Sequence, residues 1–405
     1  MSRIDDLIRD LCPDGVEFRT LEEIFETRNG YTPSKNDPEA WAGNDVAWFR
    51  MDDIRSRGRI LRDSTQRIST SAVKGGRIFP ADSILVATSA TIGEHALVRV
   101  PHLSNQRFTN LAIKDNFKES FDVKFLFYYC FKLDEWCTKN TTTSSFSSVD
   151  MKGFKKFKFP IPPLEVQQEV AKTLDQFTQL EAELEAELEA RQQQYAYYRD
   201  ILVAPRSPKE SIKLGEVSHI ARGASPRPIR KFITNNDGIP WIKIGDVPPQ
   251  GKYVTTTAQH ISTDGAEKSR QIKPGDFILS NSMSFGRPYI SKINGCIHDG
   301  WLVISNYEKT FDPDFLYHVL RSSPIQYEFA QRAGSGTVRN LNSKIVSETL
   351  VPAPPIDQQR EIVHLLDKFD LLINDLTSGL PAEIEARRRQ YEYYRDRLLT
   401  FPEKK

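Results

Sequence analysis

The feature that most constrains this chain is a stretch that occurs twice in its 405 residues. The first copy starts at Pro160 as PIPPLEVQQEVAKTLDQF and continues, after a run of Glu and Leu, as EARQQQYAYYRDIL. The second starts at Pro352 as PAPPIDQQREIVHLLDKF and continues as EARRRQYEYYRDRL. The front parts align at an offset of 192 residues and the back parts at 196, so the second copy is four residues longer inside. Such a repeat predicts internal two-fold symmetry.

Each copy has the pattern of one long amphipathic helix. Apolar or aromatic residues recur at steps of three or four from Val166 to Leu202, where Arg191 fills the one gap, and a matching series runs from Ile362 to Leu398 with a gap at the equivalent place. This pattern predicts a sustained apolar stripe. Prolines precede and follow both stretches, and these set the ends of the helices. About 38 residues at 1.5 Å each give a helix of roughly 57 Å. A helix of that length is too long for one small domain, so its stripe needs a partner.

The other copy is the simplest partner, because a two-fold axis would lay the two helices antiparallel with a globular module at each end. The alternative is that each helix packs only on its own module. The LEAELEAELEA stretch argues against that alternative, since its alternating Glu residues favour solvent. The four extra residues of the second copy predict a stutter or a break, and Gly379 with Pro381 favours a break.

The regions outside the helices also repeat. Short apolar runs separated by Gly, Pro, Asn and Asp predict strands and loops, with a helix near FDVKFLFYYCFKLDEW. The loops between the matched positions differ freely, which is typical of two modules that bind different targets. The matched positions at an offset of 193 are Leu21, Gly30, Pro33, Trp48 and Asp53 with Leu214, Gly223, Pro226, Trp241 and Asp246, and further along Gly93 with Gly286.

The predicted fold class is therefore α+β, with two globular mixed α/β modules joined by two long antiparallel helices that form a coiled coil with pseudo-two-fold symmetry. The predicted boundaries are 1–20 for an N-terminal helical segment, 21–159 for the first module, 160–205 for the first long helix, 206–351 for the second module and 352–405 for the second long helix.

Charge and cysteine content limit the function classes. The net charge is +1, whereas nucleic-acid-binding domains usually show a basic excess. Five glutamates between 181 and 189 crowd the first long helix, however, so the other segments are more basic. Four isolated cysteines argue against a disulfide framework and a structural zinc, and no apolar run is long enough to cross a bilayer. We expect a soluble, cytoplasmic protein without membrane contact.

Motifs of catalysis are missing from the sequence. It has no Walker-type phosphate loop and no Asn-Pro-Pro-aromatic motif of a methyltransferase, and its seven histidines lack metal-ligand spacing. The nearest polar constellation is His298-Asp299, which we interpret as a loop or core pair. We therefore expect no catalytic residue, no metal site and no cofactor in this chain.

The order module, helix, module, helix resembles the specificity subunit of type I restriction-modification enzymes. The motifs that carry this resemblance are PIPPLEVQQ with YAYYRDIL and PAPPIDQQR with YEYYRDRL, and SGTVRNLNSKIV is similar to the family's module ending. The resemblance implies a non-catalytic, sequence-specific DNA-binding subunit with two target recognition domains. Each domain would read one half of a bipartite target, and the coiled coil would set the spacer between the halves. The LEAE units resemble a short tandem repeat that some members carry in the first helix.

The resemblance also implies partners. Double-stranded DNA would be bound together with two modification (methyltransferase) subunits, which use S-adenosylmethionine for DNA methylation, and restriction (translocase and nuclease) subunits, which use ATP and Mg. A scaffolding protein whose coiled coil joins two protein-binding modules is the alternative, motivated by the near-neutral charge and the acidic helix.

Base readout needs donors and acceptors that reach into a groove, backed by phosphate contacts. Three polar loop sets occupy equivalent places in both modules, although such loops are also ordinary turns. In the first module they are Tyr31, Thr32, Ser34 and Lys35; Thr88, Ser89 and Thr91; and Thr141, Thr142, Ser144 and Ser145. In the second they are Arg222, Ser225, Arg227 and Arg230; Asn281, Ser282, Ser284 and Arg287; and Ser335, Thr337, Arg339 and Asn340.

Other matched residues suit structural roles better. Gly30, Gly223, Gly93 and Gly286 are expected to provide special backbone geometry. Trp48 and Trp241 each lie in an alternating apolar run and are expected in the core rather than as stacking platforms. The lysines of one short segment could form either a phosphate-tracking patch or a solvated strand face; they are Lys152, Lys155, Lys156 and Lys158.

Overall fold

The computed structural model describes residues 3–142, 147–234, 237–247, 251–281, 285–334, 340–374 and 379–404. The chain divides into two compact units. Unit 1 comprises Met1–Ala182 with Ala386–Lys405, and unit 2 comprises Glu183–Glu385. Each unit holds one of the two predicted modules together with parts of the long helices.

The elements up to the first long helix are α1 (Arg3–Leu11), β1 (Glu17–Thr20), α2 (Leu21–Ile24), β2 (Phe25–Asn29), α3 (Pro38–Ala42), β3 (Val46–Phe49), α4 (Met51–Arg57), β4 (Ile60–Leu61), β5 (Gln66–Ile68), β6 (Ser83–Ala87), β7 (His95–Val98), β8 (His102–Ser104), β9 (Phe108–Ile113), α5 (Val123–Lys139), β10 (Thr141–Thr142), β11 (Ser148–Val149), α6 (Met151–Lys156), β12 (Lys158–Ile161) and α7 (Leu164–Leu202). The helix predicted near FDVKFLFYYCFKLDEW is α5, and α1 is the predicted N-terminal helix.

The remaining elements are β13 (Ser211–Lys213), α8 (Leu214–Val217), β14 (His219–Arg222), β15 (Ile233–Thr234), β16 (Ile239–Ile242), β17 (Tyr253–Val254), β18 (Gln259–Ile261), α9 (Thr263–Glu267), β19 (Arg270–Ile272), β20 (Phe277–Ser280), β21 (Pro288–Ser291), β22 (Gly295–Ile297), β23 (Trp301–Ser305), α10 (Pro313–Arg321), α11 (Ser323–Arg332), α12 (Ser343–Glu348), β24 (Leu350–Pro352), α13 (Ile356–Asn374) and α14 (Leu380–Leu398).

The two modules are built from matching sheets. The first contains a five-stranded sheet in the order β2-β9-β6-β7-β4 and a three-stranded sheet β5-β3-β8. The second contains the corresponding sheets β14-β23-β20-β21-β17 and β15-β18-β16-β22-β19. Trp48 on β3 lies opposite Leu103 of the parallel strand β8, and Trp241 on β16 lies opposite Cys296 of the parallel strand β22. Both tryptophans are less than 5% exposed, so the core interpretation is confirmed.

The long helices pack on each other within each unit. In unit 1 the ring of Phe177 on α7 stacks on Tyr394 of α14 with centroids 5.5 Å apart, and Arg388 Nε donates to Glu181 Oε1 at 2.5 Å. The later residue on α7 thus meets the earlier one on α14, which makes the pair antiparallel. In unit 2 the equivalent ring pair, Tyr198 and Phe369, stacks at 5.8 Å.

The helix ends also pack on the modules. Val166, Val170 and Leu174 are fully buried in the same core cluster as Phe125 of α5 and Leu398 of α14. The apolar stripe is therefore shared between the other helix and the module, so the two sequence-based alternatives are both partly right.

The second long stretch is two helices. α13 ends at Asn374, α14 begins at Leu380, and Gly379 lies outside both. Pro381 falls in the first turn of α14, where proline is tolerated because its missing N–H has no helical partner. The predicted break agrees with this arrangement, while Thr377 and Ser378, which belong to the same prediction, lie outside the described residues.

One glutamine in each Pro-rich motif explains why the motif repeats. Gln167 is fully buried; its Nε2 donates to the carbonyls of Ser120 and Pro162 at 2.8 Å, and its Oε1 accepts from the backbone N–H of Asp122 at 2.9 Å. Gln359 makes the same three bonds at 2.8–2.9 Å, with Thr310, Pro354 and Asp312. Asp122 and Asp312 are the N-caps of α5 and α10. Each glutamine therefore fastens the start of a long helix to the start of a module helix.

Of the two alternatives for the lysines between 152 and 158, the strand face is wrong for three of the four. Lys152, Lys155 and Lys156 lie on α6, not on a strand, because Asp150 caps that helix by accepting from the N–H groups of residues 152 and 153. Lys158 does begin strand β12. Among the helices of the described residues, none is long and apolar enough to cross a membrane.

Candidate nucleic-acid interface

A three-residue loop carries the chain from one sheet to the other in each module. Residues 105–107 join β8 to β9 in the first module, and residues 298–300 join β22 to β23 in the second. We call these the central loops. They occupy equivalent places at an offset of 193, the same offset that relates the two tryptophans of the core.

A glycine backs each central loop. A Cβ on Gly30 would lie 2.2 Å from the carbonyl oxygen of Asn105, and one on Gly223 would lie 2.0 Å from that of His298. Gly93 and Gly286 have φ values of +92° and +70°, which side chains rarely tolerate. The prediction that these four glycines provide backbone geometry is confirmed, through close approach at the first pair and left-handed conformation at the second.

The first candidate set of the first module lies beside its central loop. Thr32 Oγ1 donates to Gln106 Oε1, and the backbone N–H of Tyr31 donates to the carbonyl of Ser104 at 2.8 Å. The Tyr31 hydroxyl donates to the carbonyl of Ala72 at 2.6 Å, so this ring holds a neighbouring loop in place. Two further members of the set, Ser34 and Lys35, are exposed.

The second and third sets join the first around the same loop. The backbone N–H of Thr88 donates to the carbonyl of Arg107 at 3.0 Å, and Val149 of the β10–β11 hairpin donates to the carbonyl of Thr88 at 3.0 Å. Ser89 and Ser148 of that hairpin form an isolated antiparallel β-bridge. Thr91 is half-buried, and Thr141 and Thr142 are exposed on β10. Thr88 itself is 8% exposed, so it positions its neighbours; Ser144 and Ser145 lie outside the described residues.

In the second module the sets converge on Asp299. Its carbonyl accepts from Arg222 Nε at 3.0 Å and from Asn281 Nδ2 at 2.8 Å, and its Oδ1 accepts from Ser225 Oγ at 2.7 Å. Asn281 is 2% exposed, and its carbonyl accepts from Leu341 N, which brings in the third set.

Among the remaining members of these sets, Arg227 has a nitrogen 4.0 Å from Asp299 Oδ2. Arg227 and Arg230 are exposed, as is Asn340, whereas Arg287 is half-buried with its guanidinium 5.5 Å from the Tyr289 ring centroid. The candidates Ser282, Ser284, Ser335, Thr337 and Arg339 lie outside the described residues.

The central loops themselves are not among the candidates that the sequence predicts. Gln106 and Arg107 are exposed, and Asp299 lies among the arginines of the second module. The available signal was a polar triplet, NQR or HDG, between two apolar runs at the offset shared by the core positions. Of the two interpretations of His298-Asp299, a loop or a core pair, the loop is confirmed.

Charge is unevenly distributed along the chain. Residues 21–159 contain 21 Lys and Arg against 17 Asp and Glu, and residues 206–351 contain 19 against 13. Residues 160–205, which include most of the first long helix, contain 3 against 9. Both modules are thus basic, as the crowding of glutamate on the helix predicts, and basic surfaces favour polyanions.

The surroundings of the second central loop lower the pKa values of two of its side chains. The pKa of Asp299 lies below its usual value, chiefly because Ser225 donates a hydrogen bond to the carboxylate. The pKa of His298 is lowered by burial, and its Nδ1 accepts from the Gly300 N–H at 2.6 Å. At neutral pH the loop therefore presents an anionic Asp299 next to a neutral histidine. Among the described residues no cluster of three or more His, Cys, Asp or Glu could hold a metal ion.

Comparison with known proteins identifies the family. Residues 13–190 and 206–386 match the family described as "Type I restriction modification DNA specificity domain". The chain belongs to this family. It is a non-catalytic DNA-specificity subunit of a type I restriction-modification system, with two target recognition domains, as the motif resemblance predicts.

Individual relatives agree with this assignment. The specificity subunit is 41% identical over 377 residues to the EcoprrI specificity subunit of Escherichia coli, covering 89% of each chain. It is 28% identical to a putative type I specificity subunit of Haemophilus influenzae, covering 89% of this chain and 96% of the relative.

Solved structures share the fold. A chain from a study of complex assembly and conformational transition in a type I system superposes with a TM-score of 0.71 at 17% identity, covering 96% of this chain and 98% of that one. The crystal structure of a Thermoanaerobacter tengcongensis specificity subunit gives a TM-score of 0.51 at 17% identity, with coverage of 96% and 97%. The predicted fold class is confirmed.

Proposed function

We propose that each target recognition domain of this subunit reads one half of a bipartite DNA target through the three loop sets around its central loop. The observation that carries this proposal is the convergence itself. Sets that are 48 or more residues apart in sequence meet at equivalent places in two modules whose sheets correspond and whose exposed residues differ. Direct readout needs several donors and acceptors within one groove width, and this convergence supplies them.

The proposed domain boundaries follow the sequence: 1–20, 21–159, 160–205, 206–351 and 352–405. Two modification subunits and, for cleavage, restriction subunits would bind the helical parts, since these repeat more faithfully than the modules. S-adenosylmethionine, ATP and Mg would then be bound by those partners in the cytoplasm. This chain would determine which DNA sequence is bound, and its partners would carry out methylation and cleavage.

The first test is selection of DNA by the assembled subunit. The chain would be co-expressed with its modification subunits and incubated with a random-sequence duplex pool, and bound DNA would be sequenced. We expect enrichment of one asymmetric sequence in two separated parts. No enrichment at any salt concentration would contradict the proposal and favour the alternative, a scaffold that joins two protein-binding modules.

A second test concerns the first long helix, which we propose sets the spacer. Deleting one LEAE unit, residues 184–187, removes about 6 Å of helix. We expect the preferred spacer to change while both half-sites stay the same. Changed half-sites with an unchanged spacer would show that the helix does not act as a ruler.

A further inference from the structure

We propose that the middle residue of each central loop is a base-reading position and that the two modules use it differently, with Gln106 reading adenine and Asp299 reading cytosine. This inference rests on the proposed function, because it assigns bases only if the modules bind DNA through these loops. It names two residues that lie outside the original candidate sets.

Gln106 and Asp299 occupy equivalent positions in the two modules. Both loops have three residues, leave the equivalent strand and enter the equivalent strand. A glycine carbon lies against the first residue of each loop. The backbone frames are therefore matched around the middle position, while the residue there is an amide in one module and a carboxylate in the other.

The side chain of the first residue of each loop is occupied by a backbone N–H of the same loop. In the first module Asn105 Oδ1 accepts from the N–H of Arg107 at 3.0 Å. In the second module the His298 ring accepts from the N–H of Gly300 at 2.6 Å. These contacts fix the turn, whereas Gln106 is exposed and the Asp299 side chain is 46% exposed.

Each middle side chain is oriented by a hydroxyl of the first candidate set. Thr32 donates to Gln106 Oε1, and Ser225 donates to Asp299 Oδ1 at 2.7 Å. Asp299 Oδ2 lies 4.0 Å from an Arg227 nitrogen, longer than a hydrogen bond. A positioned side chain with a remaining polar atom is suited to direct readout. Thr32 and Ser225 thereby act as positioning residues.

The two middle side chains differ in their chemistry. A carboxylate is repelled by phosphates and accepts only, so the DNA groups that suit it are base donors such as the N4 amino group of cytosine. Arg222 and Arg227 beside Asp299 can bind the phosphates that the carboxylate must avoid. A Gln amide has both a donor and an acceptor, which matches N7 and N6 of adenine. The two residues therefore favour different bases from the same place.

The experiment is a pair of near-isosteric substitutions, Asp299→Asn and Gln106→Glu, in the full chain with its modification subunits. Asn at 299 keeps the acceptor for Ser225 and adds a donor, so one position in the half read by the second module should change from cytosine to adenine. Gln106→Glu should change one position in the other half from adenine to cytosine. Methylated sites would be mapped genome-wide, and each altered base should shift preference about 10- to 100-fold.

The controls separate the possible failures. Asp264→Asn, an exposed carboxylate on α9, should leave the target unchanged. Ser225→Ala should keep the same bases with weaker discrimination. Wild-type protein that methylates no specific sequence would refute the proposed function itself. The base assignment is judged only if the wild type methylates a specific sequence and the variants keep its melting temperature and assembly. It is then overturned if both variants keep the original target, if both lose methylation uniformly, or if both change the half read by the other module.

Discussion

The two target recognition domains share a frame but present different chemistry on it. In the first, the neutral Thr32 and Gln106 contact each other at the central loop beside the exposed Arg107; in the second, Arg222 and Arg227 lie beside the anionic Asp299 at the equivalent point. The five-stranded sheets have the same strand order, the backing glycines approach the same loop position, and the two glutamine anchors make the same three hydrogen bonds. Because the frame is held by buried contacts, exposed residues can change without refolding the module, and a target can change without changing how the subunit is assembled.

The largest expected loss of stability concerns a buried pair of the first module whose histidine has no counterpart in the second. His95 is fully buried and its Nδ1 donates to Asp134 Oδ2 at 2.6 Å, with Arg59 also contacting that carboxylate. The position equivalent to His95 is Pro288. Asp134→Ala leaves the buried His95 donor and the Arg59 nitrogen without their acceptor and should destabilise the first module by about 3–5 kcal/mol. Denaturant unfolding of the full chain would measure it, and a loss below about 1 kcal/mol would contradict the buried-pair account.

The next prediction sharpens the comparison. Gln167→Ala and Gln359→Ala each leave one N–H and two carbonyls without their partner, and each should cost about 3 kcal/mol. The same three bonds are lost in both, so the two losses in unfolding free energy should agree within about 1 kcal/mol. Clearly unequal losses would show that the two helix entries are not equivalent, whatever their geometry.

Acid should reveal another difference between the modules. Burial lowers the pKa of His102 to about 4, and the equivalent position is Gly295, which cannot titrate. A folded-state pKa below the ordinary value near 6.5 means that the unfolded chain binds the proton first. The neutral histidine therefore contributes stability that is fully present above pH 6.5 and is lost as the pH falls towards 4, by roughly 2–3 kcal/mol.

The measurement for this prediction is unfolding as a function of pH for the wild type and His102→Gln. The free energy of unfolding of the variant should fall less steeply than that of the wild type between pH 6.5 and 4. Parallel curves for the two proteins would mean that His102 does not titrate in this range.

The smallest effect tests the symmetry of the helix pairs. Phe177 with Tyr394 and Phe369 with Tyr198 stack with similar separations, 5.5 and 5.8 Å. Double-mutant cycles with alanine should give coupling energies of about 0.5–1.5 kcal/mol in both pairs. A coupling in one pair and none in the other would show that the helices contribute unequally.

The sequence alone predicts the fold well where its pattern is periodic. The long helices begin at Leu164 and Ile356, directly after the Pro-rich segments, and the offset of 193 locates both core tryptophans. It predicts the candidate surface only in part. Thr88 and Asn281 are polar residues in loops, yet they are buried because backbone groups from distant loops need partners there. Periodicity carries no information on such long-range contacts. For the same reason it does not indicate that Gln106 lies at the candidate surface.

The central claim, that each module reads its own half of the target, is tested most directly by exchange of one module. Residues 206–351 would be replaced by the corresponding module of the Escherichia coli relative, and methylated sites would be mapped with the modification subunits present. The account predicts that one half of the target changes while the other half is retained. Methylated sites that change in both halves, or in neither, would contradict it.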